Sequence, residues 1–472
     1  MYKNFIEDSK DEMIYNLKNL INIPSVYEKS NNPLKPFGEY ANQALEYTLK
    51  LGKQMGFKTK NIDGYCGYIE FGEGKNLIGI IGHLDVVPSG DGWDTPPFDA
   101  VVKDKKIYGR GAIDDKGPVI AALYAMKALM DNYKINSRVR LILGLNEENS
   151  WHCIEYYKKY EEWPNIGFSP DAEFPCIYAE KGICTMYLES KYYDTDQPII
   201  ITNINCNNNA INVVPKYCEC TLKIDTTKIS IDKLVEYIKK IYPDIYYDIS
   251  YKIKDNYITL ISTGIQAHAA HPELGVNSIS KLIVLLNQLF NHYNIKNDMF
   301  TFFDKHINTE YDGNSLGINY EDESGKLTLN VGDFKLAENK LHLGVNLRIP
   351  VNTPLYEIES KIDNICSNYD IKRITQRFQE PLYVPKDSYL VKTLCRIFNE
   401  ETNFNLSPIA IGGGTYARAF ENFISFGANM PGDTDMCHQA NEYIKIDTLI
   451  TAAKIYAKAI LELQNYNKEE GI

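Results

Sequence analysis

Residues 78–116 read IGIIGHLDVVPSGDGWDTPPFDAVVKDKKIYGRGAIDDK, and this stretch decides the fold. It opens inside an apolar run, Leu77 to Ile81, of strand length and with no polar face. Such a run predicts a strand buried on both sides, as in a parallel sheet. His83 stands where the run gives out, at the carboxyl end of that strand. Open α/β sheets place their chemistry there. Asp85 follows two residues later. Asp114 and Asp115 occupy a turn before the helical pattern Val119 to Met130, and Lys116, Gly117 and Pro118 form its first turn, where proline is tolerated. Asp115 reads as the helix cap.

The neighbouring chain repeats this logic. Helical spacing predicts helices over Phe5 to Ile21 and Gly38 to Met55. Tyr65 to Phe71 and Arg138 to Leu145 read as strands, the second running into Glu147 and Glu148. A helix over Cys153 to Tyr160 follows. A short strand, Ile166 to Phe168, then leads into Ser169-Pro170-Asp171. Strands alternating with helices predict an α/β domain with a mixed, mainly parallel sheet flanked by helices. From 191 to 386 the texture changes. Strand-like runs (Ile199 to Ile204, Cys218 to Ile224, Tyr257 to Ser262) and helices near Ile231 to Ile241 and Ser278 to Leu289 predict an inserted α+β domain. The segment 387–472 returns to strong helices, Tyr389 to Phe398 and Thr448 to Leu463, around a Gly-rich stretch, Asp435 and His438. The expected organisation is one discontinuous domain, 1–190 with 387–472, interrupted by a second at 191–386.

Composition narrows the function classes. The chain of 472 residues is long enough for two cores. Its formal net charge of −12, without a basic block, argues against nucleic acid or an anionic membrane as partner. No apolar run reaches the roughly 18 residues needed to span a bilayer. The opening MYKNFIEDSKDEM is charged and has no apolar leader core, so a cytoplasmic protein is expected. The ten cysteines are scattered without a C-x-x-C and read as reduced core filler rather than a disulfide framework. Gly412 to Gly414 is not a phosphate loop, because no Gly-Lys-Ser/Thr follows. Cys437 and His438 are adjacent, which rarely gives the geometry of a nucleophile and its base.

What remains is a ligand set: His83, Asp114, Glu148, Asp171 and His438. Imidazole with carboxylate suits zinc, manganese or cobalt. Five ligands exceed one tetrahedral ion and suit two divalent ions sharing a carboxylate and a bridging water. Glu147, beside a ligand on a turn after a strand, is the candidate base for that water. Asp85 shares a strand face with His83 and is expected to hold its second ring nitrogen.

The motifs GHLDVVP, GRGAIDDKGP, NEEN, SPDAEFP and GGGTYAR…PGDTDMCHQ together resemble the co-catalytic metallo-aminoacylase and carboxypeptidase family, which includes carnosinases and acetylornithine deacetylase. The likeness is nearest to its bacterial PepV-type dipeptidases and covers nearly the whole chain. It implies that His83 and Asp171 hold one ion (zinc first, manganese or cobalt as alternatives), that Glu148 and His438 hold the other, and that Asp114 bridges. It implies Glu147 as general base and Asp85 as the orienting residue. Aspartate at position 171 resembles the dipeptidases, glutamate there the deacylases. The insert resembles an enlarged lid, which implies a monomer. Asn212 and His268 (or His271 three residues on) match oxyanion positions, and Arg348 matches a clamp for a substrate carboxylate. Gly413, Gly414 and Thr415 would let backbone approach the substrate. The implied activity is hydrolysis of small dipeptides with a free N-terminus. An N-acyl amino acid deacylase is the alternative, and a non-catalytic peptide-binding relative is the remaining rival.

Overall fold

The structure, a computed structural model, describes residues 1–193, 196–207, 210–245 and 248–466. Four parallel strands form the middle of its largest sheet. They are β1 (Leu77–His83), β2 (Arg138–Gly144), β3 (Ile166–Ser169) and β4 (Phe423–Ser425), in the order β2-β1-β3-β4. Every residue of β1 is buried, as its unbroken apolar run requires. The strands Cys66–Phe71 and Lys58–Ile62 add antiparallel beyond β2, and Ile177–Glu180 adds antiparallel beyond β4. The sheet is therefore mixed, with the parallel block at its centre.

Close approach at β1 explains one glycine. A Cβ on Gly82 would stand 2.4 Å from Asp115 Oδ2 and 2.7 Å from a Val119 methyl. Helix α1 (Lys116–Asn132), which follows Asp115, is buried along most of its length and packs against α2 (Ile446–Leu463). The last helix of the described residues thus completes a core that the helix Tyr2–Asp8 also enters. The helix expected over 5–21 is two helices, Tyr2–Asp8 and Lys10–Ile21, meeting at Ser9.

The chain divides into two compact units. The first comprises Met1–Ala179, Leu382–Ile409 and Gly414–Ile472; the second comprises Glu180–Pro381 with Ala410–Gly413. The first crossing comes about ten residues before the expected one. Strand Gly182–Lys191 pairs with Lys340–Ile349 and Ile371–Gln379, so it belongs to the insert. Gly413 also falls in the insert, while Gly414 and Thr415 fall in the first unit.

The second unit holds two four-stranded antiparallel sheets. One runs Thr328–Ala337, Lys340–Ile349, Gly182–Lys191, Ile371–Gln379. The other runs Ile199–Asn205, Tyr217–Ile224, Tyr257–Thr263, Ile249–Lys254. Their inner faces and helix Ser278–His292 share one apolar core. Cys206 and Cys218 are brought together beside neighbouring strands, and the other cysteines are free thiols. No helix among the described residues is long and apolar enough to cross a membrane.

Candidate metal centre

Three loops at the carboxyl ends of adjacent parallel strands supply most of the site. His83 is the last residue of β1. Glu147 and Glu148 sit in the turn after β2, and Asp171 lies two residues beyond β3. Asp114 enters from the turn before α1, and His438 from the loop before strand Tyr443–Lys445. Five of these six residues converge in two groups that share Asp114: His83, Asp114 and Asp171, and Asp114, Glu148 and His438. Asp114 turns one oxygen to each histidine. Its Oδ1 is 3.1 Å from His83 Nε2, and its Oδ2 is 3.1 Å from His438 Nε2. Asp171 Oδ2 lies 3.4 Å from His83 Nε2, and Glu148 Oε1 lies 3.0 Å from His438 Nε2.

The donor set fits divalent cations. His83 Nε2 is fully buried and makes no hydrogen bond, yet it points between two carboxylates. A buried polar atom so placed wants a partner. The electrostatics say the same. Burial drives the Glu147 carboxyl far above its ordinary value, and neighbouring carboxylates add to this. Burial, then the charge of Asp114, raises Glu148 to about 7 and also raises Asp171. Burial depresses the two imidazoles, but the surrounding carboxylates outweigh it and lift both. Asp114, despite burial, is held far down by the two imidazoles beside it, His438 first and then His83. A buried cluster of carboxylates of this kind calls for positive charge, which cations would supply.

Asp85 holds the His83 ring and also a neighbouring turn, while Asp115 faces the strand rather than its helix. The Nδ1 of His83 bonds the backbone carbonyl of Asp85 at 2.9 Å, while the Asp85 carboxylate is 3.5 Å away. That carboxylate instead accepts the backbone amides of Glu147 and Glu148, one per oxygen, at 3.1 Å each. Asp85 therefore fixes the ring through its main chain and the Glu-Glu turn through its side chain. Asp115 makes no capping bond to its helix. It is buried and accepts the backbone amide of His83 at 3.0 Å. The close fit at Gly82 leaves the carboxylate facing the strand rather than the helix end.

Sequence reasoning passed over two residues that shape the site. Glu442, four positions after His438, is wholly buried against the loop that carries Asp114, and Arg110 of that loop pairs with it at 2.7 Å. Arg110 sat in a motif already singled out, but nothing local marked Glu442. Tyr416 is also buried and stands edge-on to the His83 ring, with its hydroxyl 2.8 Å from Cys153 Sγ. Thr415 carries a structural load. Its hydroxyl accepts the Ala417 amide and bonds Ser425 Oγ at 2.7 Å. Gly414 lies against the Arg418 guanidinium.

Within the second unit, Asn212 and His268 are neighbours. Val213 pairs with His268, and the Asn212 carbonyl accepts the Ala269 amide. Asn330 steadies that segment by donating to the carbonyls of Ile211 and Val213. His268 Nδ1 accepts the Ala270 amide at 3.3 Å, so its ring hydrogen resides on Nε2. His271 is exposed and faces Glu273 instead. Arg348 is buried, with Nε donating to Asn346 and Nη1 to the Gly412 carbonyl. Gly413 belongs to this unit and leaves open space around its own Cβ position, apart from Ile411.

Comparison with known proteins gives a consistent picture. Residues 79–462 match the model of a family described as Peptidase family M20/M25/M40. A Bacillus subtilis (strain 168) protein named "Putative dipeptidase YtjP" is 37% identical over 464 residues, covering 96% of this chain and 97% of that one. A Staphylococcus epidermidis protein named "Putative dipeptidase" is 34% identical over 474 residues, covering 98% and 99%. In fold, human carnosine dipeptidase 1 aligns over 98% of both chains with a TM-score of 0.60 at 16% identity. The di-peptidase Dug1p of Saccharomyces cerevisiae gives 0.60 at 14%, over 99% of this chain and 98% of its own.

Proposed function

The chain belongs to peptidase family M20/M25/M40, and from that premise we propose that it is a metal-dependent dipeptidase, an exopeptidase acting on small peptides with a free N-terminus. The observation that carries the reading is the placement of Asp114 between two histidines, one oxygen facing each. His83, Asp114 and Asp171 would hold one divalent ion, and Asp114, Glu148 and His438 a second, with zinc the first candidate and manganese or cobalt next. When bound, such ions supply Lewis acidity to the peptide carbonyl and lower the pKa of water.

The chain's own groups then divide the work. The Glu147 carboxylate takes a proton from the attacking water as its oxygen bonds to the carbonyl carbon. The same carboxyl delivers that proton to the amine nitrogen as the carbon–nitrogen bond breaks. Asp85 fixes the turn that aims Glu147. In the inserted unit we assign Asn212 and the Nε2 hydrogen of His268 to the developing oxyanion, and Arg348 to the substrate's terminal carboxylate. The pairing of His271 with Glu273 favours His268 for the first task. Gly413, Gly414 and Thr415 offer main chain rather than side chains to the substrate. Relatives named as dipeptidases along their whole length favour dipeptides over N-acyl amino acids. A cytoplasmic, monomeric enzyme is the accompanying reading.

The test is a panel of free dipeptides against N-acetylated amino acids, with zinc or manganese supplied after chelation. Turnover of the dipeptides and none of the acetylated compounds is expected. The reverse preference would move the assignment to a deacylase, and peptide binding without turnover would move it to a binding protein.

A further inference from the structure

The loop 109–114 that presents Asp114 has almost no secondary structure of its own, yet its ligand must face two histidines at once. One buried carboxylate holds it. Glu442 Oε2 accepts the Arg110 guanidinium at 2.7 Å and the Gly111 amide at 3.0 Å; Oε1 accepts the amides of Ile113 at 2.9 Å and Asp114 at 3.2 Å. The Glu442 carbonyl also accepts the Gly109 amide. Strand Tyr443–Lys445 continues the attachment by pairing with Lys106–Tyr108. Arg110 completes the enclosure. Its second terminal nitrogen donates to the carbonyls of Pro88 and Ser89, and its guanidinium lies 5.3 Å from the centre of the Trp93 ring. Asn441 ties in the same loop by accepting the Asp94 amide and donating to the Asp94 carboxylate.

We propose that the Arg110–Glu442 pair is the positioning device of the cation centre. Glu442 sets the direction in which Asp114 presents its two oxygens, and links that loop to the one bearing His438. The inference rests on reading the cluster as a cation centre. Its physical basis is donor arithmetic. A carboxylate is an acceptor only, and here both oxygens face N–H groups. Glutamine keeps the size but turns an NH2 toward two of those donors, leaving them unmet in a buried place. The Asp114 amide is one of the four donors, so the disturbance reaches the shared ligand directly. Both cation groups should therefore weaken together, unlike the effect of losing a ligand that serves one.

The experiment is calorimetric titration of chelator-stripped protein with Mn²⁺ and Zn²⁺, comparing the wild type with Glu442→Gln, Arg110→Lys and His438→Ala. Far-ultraviolet circular dichroism and a melting curve accompany each. Glu442→Gln is expected to raise the dissociation constants of both equivalents about 10- to 100-fold, the range for lost support of metal ligands. Turnover should return at high cation concentration with KM unchanged. Arg110→Lys, which keeps the charge but not the planar fork, should shift both in the same direction by less. It supplies the reading if the glutamine variant does not fold. His438→Ala should remove one equivalent only. Variants that lower the melting temperature while leaving both dissociation constants at the wild-type values would overturn the inference, because the pair would then be merely structural. A wild-type protein that binds no cation would instead overturn the underlying reading of the centre.

Discussion

The two halves of the cluster share Asp114 and the same chemistry, but they are built differently. The His83 half stands on strand ends of the sheet, and its imidazole side chain is fully buried. The His438 half depends on a loop, and its imidazole side chain is 53% exposed. A ligand on a buried strand end is held by the whole core, whereas one on a loop is held by whatever that loop can grip. The inner half is therefore expected to bind its cation more tightly and to release it last under chelation.

The largest effect should come from the group both halves serve. Glu147→Gln keeps the turn but cannot carry the proton. Its kcat is expected to fall by about 10²–10⁴-fold with both cation equivalents retained. Unchanged turnover in fully loaded variant protein would remove Glu147 from the mechanism. Next come variants that separate the halves. His83→Ala should abolish the tighter equivalent and His438→Ala the weaker one, as read by calorimetry on stripped protein. Equal losses from the two would erase the distinction.

A smaller effect is expected from Asp85→Asn. One of its oxygens becomes an NH2 facing a backbone amide of the Glu-Glu turn, so turnover should drop about 10- to 100-fold. If Asp85 acted only on the His83 ring, cation affinity would move and kcat at saturating cation would not.

The smallest effect concerns pH and stability without cations. Burial, then Asp114, raises Glu148 from 4.5 to about 7. A carboxyl raised in the fold contributes stability that is full below its unfolded value and lost as pH climbs through 7. The raised imidazoles of His83 and His438 act with the same sign above 6.5. Stripped protein should therefore melt at lower temperature as pH rises from about 5 to 8. Cation-loaded protein should gain over the same range, as ligand protons are displaced. A difference between the two melting temperatures that narrows with pH would contradict this.

The inner half was the more legible in sequence, because its histidine ends one buried strand and Asp171 follows another. An unbroken apolar run ending in His83, and a short strand leading into Ser169-Pro170-Asp171, are local signals of buried parallel strands. What escaped were roles fixed by approach in space. Asp115 reads as a helix cap until β1 is seen to pass against it, and Asp85 grips a turn 62 and 63 residues away. Glu442 acts on a loop more than 300 residues earlier, and no apolar run or motif around it marks the contact. In the inserted unit, strand Ile371–Gln379 alternates only half-buried and exposed residues and carries two arginines. Its antiparallel pairing with Gly182–Lys191 was hidden by that weak contrast.

The central claim is that Asp114 joins two cation sites into one hydrolytic centre. The most direct measurement is cation stoichiometry and dipeptide turnover on the same stripped samples of wild-type protein and Asp114→Asn. Two equivalents and restored turnover are expected in the wild type. In the variant both equivalents should be weakened and turnover absent. Full turnover in chelated wild-type protein, or an asparagine variant that binds and cleaves normally, would contradict that claim.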